Sequence, residues 1–455
     1  MASSPACAVG DRAPVSVPVA LPADLPAHLA ATLVADVAVG GGARTSSLVA
    51  ALAAVPDFRR RRGLRHGLTG VLAIGACACL TGATSYVAIG EWAAAQGQAV
   101  LDCLGSDAAL PCEATLRRCL QATDAAALDA AVAGWAGGQL AAEQVRVLAA
   151  GGQDLVPVHT GRRVIAIDGK ALRGSAPRST PEQVAAAASG AGRVHLVAAL
   201  DHASGVTLGQ VATGIGVTKD SAADKDSAAG KGGEVAAAQA LIAALDERGL
   251  LAESVITVDA GFTARDLATD LHTRGAHWIL RVKGNQKTLH RRLKALPWAD
   301  VPEAARVHSV GHGRVQTRTI AVIDLAGSND GHGDFFPHAR QALKIVRRRR
   351  GRDGRWAVQT VYAITSLDYR AADPALLATW VRGHWSIESR LHWVRDTAFA
   401  EDHSQVRTAS GPQNLAALRT LAINALRLTG HTNIAAGLRE HARTPLLPLN
   451  TLGLS

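Results

Sequence analysis

Residues 164–174 read "VIAIDGKALRG", and this stretch decides how the chain is interpreted. Four apolar residues lead directly into Asp168, which is followed by Gly169 and by the bases Lys170 and Arg173. The apolar run predicts a buried strand that ends at Asp168. A single acid at a strand end is commonly only a turn residue. Its function therefore depends on what the rest of the chain brings to it.

A second apolar run ends in the same way. Residues 254–260, "SVITVDA", lead into Asp259. Strand patterns alternate with helical ones around both stretches, which predicts an α/β sheet whose strand ends form a ligand crevice. Neighbouring carboxylates repel each other, and a divalent cation such as Mg2+, which prefers oxygen ligands, relieves that repulsion. Asp168 and Asp259 together therefore indicate a metal site, whereas either acid alone indicates a turn or cap.

A third acid comes from residues 382–407, "RGHWSIESRLHWVRDTAFAEDHSQVR", the densest polar and aromatic part of the chain. Helical spacing places Glu388 on one face with His392 and Arg395. A carboxylate two turns from an arginine is typical of a site that holds both metal and phosphate.

The alternative for the same stretch is a purely structural helix. That helix would be amphipathic and buried through Trp385 and Trp393, with an intrahelical contact between Glu388 and His392.

The charge balance favours a polyanionic partner. The 455-residue chain carries a formal net charge of +10, with arginine blocks at residues 59–62 and 347–350. On a basic chain such blocks favour nucleic acid, although each one is also typical of a solvated face. The six cysteines show neither zinc-finger spacing nor a disulfide framework, so we expect reduced thiols in the cytoplasm.

One segment is long enough to raise the question of a membrane. Residues 67–90 are uncharged, yet they contain several glycines and hydroxyl residues and are followed at once by Glu91. A pair of buried helices is the preferred interpretation, and no membrane partner is expected. The N-terminus shows no signal-peptide pattern.

Composition divides the chain into successive regions. Residues 1–45 are predicted to be a loose leader, and residues 46–150 a helical domain. Residues 160–430 are predicted to form the α/β domain, with a β-rich insertion at about 300–370. Residues 431–455 are predicted to be a C-terminal tail.

Four ordered blocks resemble one family of enzymes. They read "IAIDGKALRGS", "VDAGF…LHTRGAHWILRVKGNQ", "HGRVQTR" and "RGHWSIESRLHWVRDTAFAEDHSQVRT". They are similar to transposases of bacterial insertion sequences, the IS4-like DDE group, and among these to the ISAs1 family. The resemblance covers residues 45–430 and includes "DFRRRRGLRHGL", which resembles that family's N-terminal associated domain.

The resemblance implies an α/β fold with an RNase H-like catalytic core, an inserted β-rich subdomain and an N-terminal helical domain that binds DNA. It makes Asp168, Asp259 and Glu388 the catalytic and metal-binding triad. The wider group carries a Tyr-x2-Arg-x3-Glu-x6-Lys signature. This chain has Val381, His384 and Arg395 at the Tyr, Arg and Lys positions, so the roles of these three are open.

The implied activity is metal-dependent cleavage of double-stranded DNA at terminal inverted repeats, followed by transfer to a target. Two Mg2+ ions, with Mn2+ as a substitute, would be the cofactors. We expect a homodimer in the synaptic complex and association with the bacterial nucleoid. The predicted DNA contacts are Lys170, Arg173, Lys283, Asn285, Gln286, His312, Arg314, Arg318, His392 and Arg395. The cluster at 283–286 and the cluster at 312–318 are each alternatively a solvated edge.

Two other functions stay open at this point. One is a nuclease on the same core that cleaves DNA without joining it. The other is a DNA-binding regulator that has lost catalysis, although the three intact acids argue against it.

Overall fold

The structure is a computed structural model, and it describes residues 47–60, 64–97, 100, 103–104, 111–149, 162–188, 192–213, 231–311, 314–325, 335–351 and 354–454. The predicted leader at residues 1–45 lies outside this part of the chain. The first described region is helical: α1 (Leu48–Ala53), α2 (Leu68–Leu80), α3 (Tyr86–Ala94), α4 (Glu113–Ala122) and α5 (Ala125–Ala149).

Local sequence explains where these helices begin. The side chains of Ser47 and Ser85 accept hydrogen bonds from the backbone N–H groups of Ala50 and Ala88, which caps α1 and α3. The uncharged segment 67–90 forms α2 and the start of α3, and nearly all of α2 is buried. The predicted pair of buried helices is therefore present. Among the described residues, no helix has both the length and the apolarity needed to cross a bilayer.

Nine strands in the described part of the chain form one sheet. They are β1 (Val164–Ala171), β2 (His195–Asp201), β3 (Thr207–Ala212), β4 (Val255–Val258), β5 (His277–Val282), β6 (Ala305–Gly311), β7 (Arg314–Asp324), β8 (Gln341–Arg350) and β9 (Trp356–Thr365). Their order across the sheet is β3-β2-β1-β4-β5-β9-β8-β7-β6.

The first five strands have the RNase H-like arrangement that the resemblance implies. β1, β4 and β5 are parallel, whereas β2 is antiparallel to both of its neighbours, β1 and β3. β4 is buried along its whole length, as is typical of strands that are covered on both faces. The β-rich insertion, β6 to β9, is antiparallel throughout and joins the core sheet through the pairing of β5 with β9. It therefore extends the core sheet.

The remaining helices cover the sheet and end the chain. They are α6 (Pro181–Ala188), α7 (Lys231–Glu247), α8 (Arg265–Thr273), α9 (Lys287–Ala295), α10 (Pro374–Gly383), α11 (Trp393–Ala398), α12 (Gly411–Leu428), α13 (Ile434–Arg443) and α14 (Leu447–Leu452). A π-helical turn, Glu388–His392, lies between α10 and α11.

Helix α12 joins the N-terminal helices to the sheet. Most of its residues are buried, and they belong to the same hydrophobic core as residues of α2 and β2. The Asn414 Nδ2 group donates hydrogen bonds to the carbonyl oxygens of Leu120 and Thr123, at 2.7 and 2.9 Å. The two regions therefore pack as one body.

The predicted C-terminal tail is folded. Residues 434–452 form α13 and α14, and Leu449 and Leu452 are buried in the shared core. Pro448 lies in the first turn of α14, where its missing N–H group costs nothing.

Candidate active site

The parallel pairing of β1 with β4 brings the first two acids together. The ladder ends where Ile167 lies opposite Val258, and the next residues are Asp168 and Asp259. The prediction that the first strand ends at Asp168 is wrong, because β1 continues to Ala171 against β2. Asp168 therefore still lies within β1, whereas Asp259, its neighbour on the β4 side, lies just beyond the end of β4.

A side chain at position 169 would lie close to two neighbouring side chains. A Cβ atom there would lie 3.2 Å from the Glu234 carboxylate oxygen Oε1 and 3.5 Å from the Phe262 ring. The residue after the first acid is consequently packed tightly on the strand and does not form a turn.

The third acid, Glu388, lies close to Asp168 of β1. Helix α10 begins at the cap residue Asp373 and leads into the π-helical turn that starts at Glu388. His392 Nδ1 is 3.1 Å from Glu388 Oε2 and 3.7 Å from Asp168 Oδ2. One ligand atom from each of Asp168, Glu388 and His392 lies within 4.8 Å of the other two.

Asp259 is held by two bases. Lys283 Nζ donates to Asp259 Oδ2 at 3.0 Å, and Arg281 Nη1 lies 3.3 Å from Oδ1. Burial alone would raise the pKa of Asp259, but Lys283, the Ala260 N–H group and Arg281 together lower it. Its Oδ1 atom is buried and accepts no hydrogen bond among the described residues.

The acids differ in how readily they ionise. Burial raises the pKa of Asp168, with His392 opposing the shift and with Asp259 and Glu388 adding to it. The hydrogen bond from His392 lowers the pKa of Glu388. The site combines mutually repelling carboxylates, an imidazole nitrogen and a buried oxygen of Asp259 that faces Arg281 without a hydrogen bond. These groups fit a divalent cation, which would stabilise the charged forms.

Comparison with known proteins identifies the family of this chain. A protein-family model described as "Transposase DDE domain" matches residues 159–425, more than half of the chain. The chain belongs to the DDE transposase family. A second family model, described as DDE_Tnp_1-associated, matches residues 49–136. Members of this family use divalent metal, so the acidic cluster and the family agree.

Relatives of this transposase include proteins of Escherichia coli. YncI of strain O157:H7, which is named as a transposase, is 25% identical over 388 residues, covering 84% of this chain and 87% of the relative. The H repeat-associated protein YhhI of strain K12 is also 25% identical, over 88% of this chain and 94% of the relative. The solved piggyBac transposase synaptic complex with hairpin DNA aligns with 93% of this chain and 81% of that one, at a TM-score of 0.35 and 9% identity.

The two bases after Asp168 lie in different environments. Lys170 is 9% exposed, and its Nζ lies 2.7 Å from Asp396 Oδ2 and 3.6 Å from Asp402 Oδ1. The predicted phosphate contact of Lys170 does not agree with this buried ion pair. Arg173 is 71% exposed, with its Nε 3.3 Å from Asp402 Oδ2, and its DNA contact stays a prediction.

Arg395 is also misassigned by the sequence. The transposase buries this side chain completely and pairs it with Glu401, through Nε at 2.8 Å and Nη2 at 2.9 Å. The predicted DNA contact of Arg395 is therefore wrong in this structure. The π-helical turn adds one residue to a turn after Glu388, which rotates Arg395 by roughly 100°, the rotation of one residue at 3.6 residues per turn.

The two side-chain amides that follow β5 form hydrogen bonds with the backbone next to Asp259. Asn285 Nδ2 donates to the Ala260 carbonyl and Gln286 Nε2 donates to the Thr263 carbonyl, both at 2.7 Å. They hold the backbone that follows Asp259. Their contact with DNA stays a prediction, as does that of Lys283.

The inserted strands contribute a cationic cluster. Arg318 is half-buried, and its pKa is lowered first by burial and then by the neighbouring Arg347 and Arg382. These three guanidinium groups lie near one another, and such a concentration of positive charge favours binding of an anionic partner. His312 and the side chain of Arg314 lie outside the described residues.

Two of the three positions that depart from the group's signature are structural. His384 is buried, with its Nδ1 at 3.0 Å from the Thr257 hydroxyl of β4. Val381 packs against a cluster of buried apolar residues that includes Ile279 and Leu343. Burial, with the nearby Arg281, lowers the pKa of His384 to about 4, so the ring is neutral at pH 7.

The structural alternative for the catalytic helix is wrong in one respect. Trp385 and Trp393 are 67% and 59% exposed, so these two side chains do not bury the helix. The Glu388–His392 contact that it anticipates is present. The sequence predicts a DNA contact for His392, although the Glu-x3-His spacing also places both side chains on one helical face, within reach of one metal ion.

Proposed function

We propose that this transposase binds the terminal inverted repeats of its insertion sequence, cleaves the DNA there, and joins the freed ends to a target duplex. The observation that carries the proposal is the register of β1 and β4, which ends one residue before both Asp168 and Asp259. Glu388 comes over the same edge from the catalytic helix. Ligand atoms of Asp168 and Glu388 lie within 4.8 Å of each other, and Asp259 is near enough to Asp168 to raise its pKa.

We infer that Asp168, Asp259 and Glu388 hold two Mg2+ ions, with Mn2+ as a substitute, and that His392 is an additional candidate ligand. When bound, such ions activate the attacking oxygen and stabilise the leaving oxygen of an in-line displacement at phosphorus. The protein's part is to hold the ligands in place. His392 orients Glu388 through its hydrogen bond, and Lys283 with Arg281 keeps Asp259 ionised.

Exposed bases and aromatic rings around the acids support DNA as the substrate. Arg173 and Lys283 border the site, and the half-buried Arg318 lies on the inserted sheet. Phosphate contacts by such cations are independent of sequence and position the duplex. Trp385 and Trp393 flank Glu388 with exposed rings, which are suited to stack on unpaired bases.

The proposed function also includes an oligomeric state and a location in the cell. Two ends must be held together before joining, and we propose that two copies of the chain do so as a homodimer. The reaction would take place on DNA of the bacterial nucleoid.

The experiment uses the purified full chain and DNA that carries the sequences flanking the gene. Intact ends test cleavage, pre-cut ends test joining to a supercoiled target, and Asp168→Asn is the control. Metal-dependent cleavage together with joining, both lost in Asp168→Asn, supports the proposal. Cleavage of intact ends without joining of pre-cut ends would instead identify a nuclease. Binding without cleavage by the wild type would identify a regulator.

A further inference from the structure

A short loop after α11 links the elements that carry two of the catalytic acids. We call residues 400–404 the strap. It begins at Ala400, whose φ of 48° lies in the left-handed region that non-glycine residues rarely adopt, and continues as the 3-10 turn Glu401–His403. Such a conformation persists only where surrounding contacts determine it. Those contacts come from both sides of the strap.

On one side, Glu401 is buried between two arginines. Arg395 on α11 binds both carboxylate oxygens at 2.8 and 2.9 Å, and Arg419 Nη1 on α12 lies 3.0 Å from Oε1. Arg419 also donates from Nη2 to the carbonyl oxygen of Thr84, between α2 and α3. The bidentate Arg395–Glu401 pair fixes both distance and orientation, because two parallel hydrogen bonds join two planar groups.

On the other side, the strap contacts the strand of the first acid. Asp402 lies 3.6 Å from Lys170 Nζ and 3.3 Å from Arg173 Nε. A Cβ atom on Gly174 would lie 1.7 Å from the Ser404 carbonyl oxygen, so the backbones pass too closely for any other residue. Lys170, two residues beyond Asp168, also pairs with Asp396, which follows Arg395 directly. The strap thus joins the Asp168 strand to the Glu388 helix.

The π-helical turn makes this join necessary. A π-helical turn is rare and occurs mostly as a single turn within an α-helix, frequently at functional sites. Glu388 and His392 are its first and last residues, and Arg395 follows three residues later. If Arg395 were released, the turn could relax to regular α-helical spacing. The side chains before and after it would then rotate relative to each other.

We propose that Arg395 is a positioning residue, which through its bidentate pair with Glu401 holds the π-helical turn so that Glu388 and His392 meet Asp168. This proposal rests on the proposed function only where its test measures DNA nicking. Arg395 touches no substrate, and its effect passes through Glu401 and the strap.

Arg419 provides a matched control. Both arginines are buried and both bind Glu401, but only Arg395 continues from the π-helical turn. We compare Arg395→Met with Arg419→Met in the full chain. The readouts are melting temperature, Mn2+ affinity by electron paramagnetic resonance, duplex affinity, and the single-turnover rate of nicking of supercoiled plasmid with Mn2+.

Both variants should melt at lower temperature, since each leaves Glu401 with one partner fewer. Arg395→Met should in addition weaken Mn2+ binding and slow nicking about 100-fold, the effect of a displacement near 1 Å, with duplex affinity unchanged. Arg419→Met should keep the wild-type Mn2+ affinity and nicking rate at a temperature where it is folded. Equal losses of metal affinity in the two variants would overturn the proposal, because Arg395 would then serve stability alone.

A milder pair of variants covers the case in which Arg395→Met does not fold. Arg395→Lys keeps the charge but loses the bidentate geometry, and Arg419→Lys is its control. Reduced Mn2+ affinity in Arg395→Lys alone supports positioning, and wild-type affinity in both overturns it. If the wild type binds DNA and Mn2+ but does not nick, the proposed function fails. The comparison of Mn2+ affinities still decides the role of Arg395.

Discussion

His392 on the catalytic helix approaches Asp168 on β1, with Nδ1 3.7 Å from Oδ2. The same nitrogen is 3.1 Å from Glu388 Oε2, so one imidazole spans two acids that come from different elements. An imidazole ligand suits Mn2+ and Zn2+ better than it suits Mg2+, whose usual ligands are oxygen. The role of His392 is therefore measurable through metal preference.

We expect His392→Ala to weaken Mn2+ binding by about 10- to 100-fold, the range for losing a group that ligates or orients a metal ligand. Isothermal titration with Mn2+ and Mg2+ measures this, and the Mn2+ affinity should fall more than the Mg2+ affinity. His272→Ala, at an exposed histidine on α8, is the control. Unchanged Mn2+ affinity would remove His392 from the metal site.

Each of Asp168→Asn, Asp259→Asn and Glu388→Gln should reduce metal-dependent cleavage to background while duplex binding persists. The reason is that an amide cannot replace a charged oxygen ligand. A cleavage assay on supercoiled plasmid, beside a gel-shift measurement of binding, separates the two effects. Should one of these variants cleave at nearly the wild-type rate, the acid concerned is misassigned, and Asp396 is the first replacement to examine.

Lys170 and Arg173 should behave differently toward DNA although they are three residues apart. Arg173→Ala should lower the slope of log affinity against log salt by about 0.9, the loss of one phosphate contact, on specific and random duplexes alike. Lys170→Gln should leave the slope unchanged, because Lys170 is already paired inside the protein. A lower slope for Lys170→Gln would show that its ion pair opens to receive phosphate.

Trp385→Ala and Trp393→Ala should weaken binding of DNA with unpaired ends by about 1–3 kcal/mol for each base that a ring stacks on. Their melting temperatures should stay close to wild type, since both rings are exposed. Trp380→Ala is the contrasting control, because that ring is buried on α10 and its loss should cost about 3–5 kcal/mol of stability. If the exposed variants bind such DNA normally, the rings do not contact it.

Asp129 should make stability depend on pH. Burial on α5 raises the pKa of this carboxyl group to about 8, against the hydrogen bond from Gln210. Because the folded state favours the protonated form, the group's contribution is largest below its unfolded pKa of 3.8 and is lost as the pH rises through about 8.

Asp129→Asn keeps a neutral acceptor for Gln210, so its advantage in melting temperature over the wild type should grow between pH 6 and pH 9. Asp300→Asn, at an exposed acid after α9, is the control and should show no such trend. A constant difference across that range would mean that Asp129 ionises normally in the folded chain.

The sequence by itself determined the elements of the core and the end of the strand before Asp259. The apolar runs before Asp168 and Asp259 predict buried strands, because a strand covered on both faces needs apolar residues throughout. The RNase H-like order and the inserted β-rich subdomain came from the resemblance, and the sheet confirms both. The exact end of β1 was not predictable. It depends on β2, which pairs with the strand for four residues beyond Ile167.

The tertiary structure decided what the side chains around the acids do. A π-helical turn, which leaves no periodic signal in the sequence, rotates Arg395 from the expected metal and phosphate face into the core. The partners of Lys170 are Asp396 on α11 and Asp402 in the strap, and both lie more than 200 residues away along the chain. Trp385 and Trp393 look like core residues by composition, yet they are exposed because Leu391 and His392 take the inward face. Local pattern predicts strands and helices, whereas the direction and partner of each charged group depend on how distant elements pack.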